Sequence, residues 1–446
     1  TYVPVRFYLV AKTDGTGRNS ERLALRALCL LNEHYLDQNI QFYLKEFKYP
    51  NHTTIYNNSM SNSGWNALKT QVNSNYNAIN IFIVDEAGGD AAAYYQPPAT
   101  GQNKADWIVC AGEYADDTRV LAHEVGHFFS LPHTFNGWEP SGGWDATIHG
   151  NPVGTWAPDG QTLNEFVDGT NCQTAGDAIC DTPADYMFPS ANCTYNPVAK
   201  DPHGELVNPD KKNIMNYHFG CSEYYFSEDQ KEEVNNSLFS SSRNYVRPNY
   251  TPNLTEVNGP ATLLSPASSA TIETYNYVVL DWSEVPGADR YLVELNALGG
   301  GYTRYIVTTN QLILTDLLAN KSYFWKVLPF NEYHTCSNYS PSKVFKTGGT
   351  FTATFEIEGL DNWSVQPNPA RASGMVTVNV ESAGGITASV NLLDLNGRLV
   401  RSIEQHRFPG GISSLEIPAE NLVPGIYLVA LQTENSVETK RLAVVE

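Results

Sequence analysis

The chain has 446 residues, of which 41% are hydrophobic and 17% charged, and its 28 basic and 48 acidic side chains give a formal net charge of −20. Such a length predicts roughly two to four domains rather than one core, and the composition is that of an ordered, polar-surfaced chain. The acid excess contains no basic cluster, which removes phosphate neutralisation as a source of affinity and excludes nucleic acid as a partner. No apolar stretch reaches the roughly 20 residues that a membrane-spanning helix requires.

The opening "TYVPVRFYLVA" reads as a strand rather than a signal segment, so Thr1 is expected to be a processed start. A helix follows in "NSERLALRALCLLNEHYL", capped by Ser20, with Leu23, Ala27, Leu30, Leu31 and Tyr35 at helical spacing. "IQFYLKEF", "AINIFIVDE" and "ADWIVC" are further strands, and "DDTRVLAHEVGHFFSL" is a helix expected to start on Asp116 or Asp117. Together they predict an α/β unit. From Thr134 to about Asn213 the chain is rich in Gly, Trp, Asn and Asp and carries no clear period, which suits a functional or disulfide-pinned loop. Trp138, Trp144 and Trp156 are expected to anchor that loop by burial, and His149, His203 and His218 to be ordinary loop histidines, with His218 close enough to Tyr217 to line a cleft. "SEDQKEEVNNSLF" closes the region as a helix, and "RPNYTPNLTEVNGP" is a linker by composition.

Of the seven cysteines, Cys172, Cys180, Cys193 and Cys221 cluster, while Cys29, Cys110 and Cys336 stand apart. The cluster has no C-x-x-C pair and sits in Asn- and Tyr-rich loops, so two disulfides are expected rather than a zinc site, with the connectivity open among three pairings.

The chemistry concentrates in "HEVGHFFSLPH". Residues four apart share a helix face, so His123 and His127 can offer two imidazole nitrogens to one metal ion. Glu124 then stands beside the ion, where a carboxylate can take a proton from metal-bound water and return it to a leaving amine. His133 becomes the third ligand if the chain turns sharply at Ser130, a position where glycine would suit a positive φ and serine costs about 1 kcal/mol. Glu165 in "LNEFVDG" is the alternative third ligand. Met215 in "NIMNY", with Tyr217 two residues on, would by itself read as core filling.

Beyond the linker the pattern changes to short alternating strands, first over 261–347 and then over 352–446, predicting two all-β sandwiches. In the first, Trp282, the Pro286-Gly287-Ala288 turn, Tyr291, Leu317 and the Tyr323, Trp325, Val327 alternation resemble a fibronectin type III module. In the second, "LNG" is a hairpin signal. There Pro367-Asn368-Pro369, Asp394, Asn396-Gly397-Arg398, Gly425-Ile426-Tyr427 and "KRLAVVE" resemble the C-terminal sorting domain of the type IX secretion pathway. That resemblance implies a Bacteroidetes-type source, export machinery that recognises this domain, a secreted or cell-surface location and removal of the domain on release.

"HEVGHFFSLPHTF", "CQTAGDAICDTPAD" and "NIMNYHFGCSEYYFSEDQ" together resemble the signature blocks of the pappalysin family of metzincins. The resemblance implies a multidomain fold whose 1–255 segment is an α/β (α+β) metzincin-like zinc endopeptidase followed by the two sandwiches. It implies His123, His127 and His133 as zinc ligands, Glu124 as general base, Met215 as the Met-turn and Tyr217 as a catalytic residue steadying the intermediate. It also implies disulfides Cys172–Cys193 and Cys180–Cys221, protein or peptide substrates, and structural calcium, for which Asp168, Asp177, Asp181 and Asp185 could supply oxygens. Some relatives prefer Arg or Lys after the cut, which needs an acid near the fourth cysteine; Gly220 stands there, so an apolar or aromatic preference is equally expected. A different class remains open: a surface adhesin or glycan-binding protein whose first domain is an inactive relic.

Overall fold

The apolar runs of the N-terminal part form one sheet. Strands β1 (Tyr2–Leu9), β2 (Gln41–Lys48), β3 (Ile79–Val84), β4 (Ala93–Gln96) and β5 (Trp107–Ala111) lie in the order β2-β1-β3-β5-β4. All neighbours are parallel except the edge strand β4, which runs antiparallel to β5. β3 and β5 are buried at every position, as strands covered on both faces should be. The two short helices α2 (Thr53–Asn57) and α3 (Asn62–Val72) cover one face by packing Ile55, Tyr56, Leu68 and Val72 against Tyr8, Phe82 and Trp107. The helix α1 (Glu21–Tyr35) starts where expected, its Ser20 hydroxyl accepting from the Leu23 amide at 3.3 Å, and it meets the histidine-bearing helix α4 (Val120–Phe128) through Tyr35, whose hydroxyl donates to the Ala122 carbonyl at 3.1 Å.

The structure is a computed structural model that describes residues 1–72, 76–89, 91–98, 105–350, 357–394, 398–433 and 436–445, in two compact units, Thr1–Asn253 and Leu254–Glu446. In the first unit the stretch from Thr134 to Asn213 stays irregular, apart from short 3₁₀ turns and the single-turn helix α5 (Ala146–His149). It carries a core of its own, in which Phe135, Trp138, Tyr186, Ala199 and Val207 pack together. Trp138 is buried and Trp144 packs at the edge of that core, but Trp156 is 57% exposed, so the third tryptophan does not anchor the loop. Trp156 lies in an exposed run, 154–156, and is held by its backbone through a bridge to Leu163. The helix α6 (Glu228–Phe239) begins on a reciprocal capping box between Ser227 and Gln230.

The disulfides join Cys172 to Cys180 and Cys193 to Cys221, which corrects the pairing implied by family resemblance. The turn through Cys172–Thr174 folds back so that the Cα atoms of Cys172 and Cys180 are 5.0 Å apart, and the amide of Cys193 donates to the Phe219 carbonyl, which brings it beside Cys221. Cys110 is a buried free thiol.

The second unit holds two sandwiches. In the first, a five-stranded sheet ordered Tyr302–Val307, Arg290–Ala297, Ser322–Phe330, Lys343–Thr350 and Ala270–Thr274 faces a three-stranded sheet of Gln311–Leu314, Val278–Trp282 and Leu263–Ser265. Trp282, Tyr291, Tyr323 and Trp325 fill the space between them, as the alternation predicts. In the second, a three-stranded and a five-stranded sheet enclose Trp363, Val378, Leu392, Phe408, Tyr427 and Leu442. Asn368 ties the Pro-Asn-Pro segment to the last strand, donating to the Arg441 carbonyl at 2.7 Å and accepting from the Ala443 amide at 2.9 Å. The strands Ile386–Asp394 and Leu399–Phe408 pair antiparallel; Leu395, Asn396 and Gly397, where the hairpin turn is expected, lie outside the described residues. Ile313 of the first sandwich packs with Leu393, Leu399, Ala430 and Val437 of the second.

Candidate metal centre

The helix α4 begins later than its sequence suggests. Asp117 caps the preceding turn instead, its carboxylate accepting from the Arg119 amide at 3.0 Å, and Arg119 becomes the N-cap with no side-chain cap bond. The helix stops after Phe128 because Ser130 takes a φ of 75°, letting the Leu131 amide return to the Gly126 carbonyl at 3.0 Å. The Ser130 hydroxyl is held at 3.0 Å from that of Ser237. This is the turn that swings His133 back toward the helix.

The three histidines converge. The Nε2 of His127 lies 3.1 Å from the Nε2 of His123 and 3.1 Å from that of His133. Three imidazole nitrogens bound tetrahedrally to zinc at about 2.0–2.1 Å should lie about 3.4 Å apart, so the spacing fits that ion. Each opposite ring nitrogen has an oxygen acceptor: Nδ1 of His123 meets the Ile214 carbonyl at 2.8 Å, Nδ1 of His127 the Leu131 carbonyl at 2.7 Å, and Nδ1 of His133 the Glu139 carboxylate at 2.9 Å. These acceptors keep the proton on Nδ1 and turn the Nε2 lone pairs inward, the arrangement of imidazoles that hold a metal. Burial, reinforced by the neighbouring imidazoles, holds His123 well below its usual pKa and His127 at about 4, so both rings are neutral. Burial tends to raise Glu139, but the bonds from His133 and the Gly137 amide outweigh it and keep the carboxylate ionised.

Glu124 is buried beside this triad and its carboxyl is raised to about 8 by burial, partly offset by the Tyr95 backbone amide of β4. Burial also raises Tyr217 to about 12, so its hydroxyl stays protonated, and its ring packs 4.9 Å from that of His133 and 5.8 Å from that of His123. Met215 is wholly buried beneath the site, its sulfur so close to Gly126 that a Cβ there would lie 2.5 Å away. The turn carrying Met215 is fastened to α4 twice, through Ile214 to His123 and through the Arg119 guanidinium to the Asn216 carbonyl at 3.0 Å.

Glu165 is not with the histidines. Its buried carboxylate neighbours Asp177 and Asp185, and its Oε2 has no hydrogen-bond partner among the described residues. Burial, with the two neighbouring aspartates, raises Glu165 to about 8; burial also lifts Asp177 to about 7 and Asp185 to about 6. The other two aspartates lie apart from this trio: Asp168 caps its own turn at Thr170, and Asp181 accepts from Ser227 and the Asp229 amide at the start of α6. His218 is buried, with its ring beside Tyr195. Sequence reading missed Glu139, the partner of His133, since a Glu six residues past a ligand carries no motif. It missed Gly126 for the same reason, because only the folded Met215 gives that glycine its meaning.

Residues 364–445 match the secretion system C-terminal sorting domain. A domain of that kind marks a chain for export, so the protein is secreted or held at the cell surface and is recognised by export machinery. No helix among the described residues is long and apolar enough to cross a membrane. The chain is 25% identical over 250 residues to an extracellular metalloprotease of Colletotrichum graminicola, covering 52% of this chain and 74% of that one. It is 29% identical over 151 residues to an extracellular metalloprotease of Neurospora crassa, covering 30% of this chain and 51% of that one. A third, from Pyricularia oryzae, is 29% identical over 149 residues, and this chain spans half of its length. The chicken CNTN1 FN1-FN3 domains are 13% identical, with 42% of this chain and 69% of that one covered, but at a TM-score of 0.18 the likeness carries no argument.

Proposed function

We propose that the protein is a secreted zinc endopeptidase of the pappalysin type, with residues 1–255 as its catalytic domain, 261–347 as a fibronectin type III-like module and 352–446 as the export domain. The observation that carries this reading is the convergence of three Nε2 atoms, each ring anchored through Nδ1, beside a buried carboxylate. The relatives named as extracellular metalloproteases support the same chemistry. His123, His127 and His133 would hold the zinc. When bound, zinc supplies Lewis acidity to the scissile carbonyl and lowers the pKa of its water.

Glu124 takes the proton from the attacking water and returns it to the leaving amine; burial alone raises its carboxyl to about 8, and a cation held by the three histidines would favour the ionised form that this task requires. The Tyr95 amide of β4 bonds its carboxylate. Tyr217, protonated throughout the working pH range, donates a hydrogen bond to the oxygen that gains negative charge. Met215 packs beneath Gly126 of α4, and its neighbour Ile214 positions His123. Glu165, Asp177 and Asp185 are the place for a structural calcium ion, on the ground that three buried carboxylates with a partnerless oxygen suit a hard cation. The ligand assignment is tested by zinc content after dialysis: His133→Ala should lose the metal and Glu165→Gln should keep it. Zinc retained by His133→Ala would overturn the third ligand.

A further inference from the structure

A cavity of about 640 Å³ opens beside Glu124, walled by Met60, Ala92, Val120 and Phe219 and otherwise largely apolar. Among its described lining residues Arg119 is the only cation and Glu124 the only carboxylate. Arg119 is 4% exposed. Its guanidinium lies between the Phe219 ring, at 4.1 Å, and the Tyr224 ring, at 5.0 Å, and its Nη1 donates to the Asn216 carbonyl and side-chain oxygen at 3.0 and 3.3 Å. No carboxylate among the described residues forms an ion pair with it. Asp117, the nearest acid in sequence, holds the Arg119 amide instead.

A buried charge is normally met by an opposite one, because desolvation is costly and aromatic faces and carbonyls offset only part of it. Gly220, next in the chain to Phe219, has a φ of 74°, and a Cβ built on it would lie 2.5 Å from the Ala191 carbonyl oxygen, so that position supplies no charge to the cavity. The N-terminal end of α4, whose N-cap is Arg119, adds its positive dipole to the same side.

We infer that this cavity receives an acidic side chain, Asp or Glu, at the position that follows the cut bond. The placement rests on the peptidase reading: Glu124, which returns a proton to the leaving amine, faces the residue that carries that amine. The apolar walls take the methylene groups and the Arg119 guanidinium takes the carboxylate.

Three matched peptides differing only after the cut, with Glu, Gln or Lys, test this on the zinc-loaded wild type. The Glu peptide should exceed the Gln peptide in kcat/KM by about tenfold or more, and Lys should be poorest. Equal use of Glu and Gln, or preference for Lys, overturns the inference and leaves the peptidase reading standing. Arg119→Lys, checked for an unchanged melting temperature, should shrink the Glu over Gln ratio. Since Arg119 also fastens the methionine turn, a second readout avoids activity altogether: calorimetric binding of peptides with N-terminal Glu or Gln to the Glu124→Ala protein. If no peptide is cut, the peptidase reading fails, and this titration still decides whether the cavity selects an acid; equal affinity rejects it.

Discussion

Replacing Gly126 by alanine sets two effects against each other inside the helix that carries the site. Glycine in a helix interior costs about 1 kcal/mol relative to alanine, so propensity alone favours the change. The added Cβ, however, would stand 2.5 Å from Met215 Sδ and 3.3 Å from its Cε. Carbon and sulfur need about 3.5–4.0 Å, so the sulfur must retreat by roughly 1 Å in a side chain with no exposure. Overpacking of that kind costs about 1–3 kcal/mol, and the flexibility of methionine keeps it toward the lower end, leaving a net loss of about 0–2 kcal/mol. The sharper effect is local. Ile214, next to Met215, holds His123 Nδ1 at 2.8 Å, so a displaced turn loosens the first histidine, and lost support of this type lowers metal affinity about ten- to hundredfold. Thermal unfolding without metal and chelator competition with zinc measure the two terms separately. A higher melting temperature with unchanged zinc affinity would refute the reasoning.

Ser130→Gly relieves a positive φ but removes the hydroxyl contact to Ser237; each is worth about 1 kcal/mol, so the melting temperature should move by less than about 3 °C, and a larger fall would show that the serine does more than turn the chain. Glu139→Gln exchanges a charged partner of His133 for a neutral one and should weaken zinc binding about tenfold, seen in the same chelator competition; unchanged affinity would remove Glu139 from the site. In metal-free protein Glu165, Asp177 and Asp185 hold protons in the folded state at pH values where the unfolded chain has released them, so stability should fall as pH rises from about 4 to about 8. Glu165→Gln should flatten that slope, added calcium should recover stability at pH 8, and parallel pH curves for variant and wild type would contradict the cause given. Non-reducing digestion and mass mapping should return Cys172 joined to Cys180 and Cys193 joined to Cys221; the crossed pairs would refute the loop path.

The metal-binding geometry was legible because it depends on local repeats. A helix face brings His123 and His127 together whatever surrounds them, and the short return to His133 needs only one residue of positive φ. The strands of the main sheet were equally plain, being uninterrupted apolar runs. What stayed hidden depends on contacts between distant segments. The edge strand β4 has four half-buried residues and no period to read, yet its Tyr95 amide reaches Glu124. Helices α2 and α3 carry Asn, Ser and Thr on their exposed sides, which masked Ile55, Tyr56 and Leu68. The disulfide pairing followed from the path of an irregular loop, which spacing does not encode, and the same loop decided that Glu165 joins Asp177 and Asp185 rather than the histidines.

The most direct test is cleavage of a diverse peptide mixture by wild type and by Glu124→Ala, with zinc measured in both. About one zinc per chain in each protein, with cutting by wild type alone, is the predicted result for a three-histidine site with an adjacent base. Equal cutting by the two proteins, or no zinc in either, would contradict it.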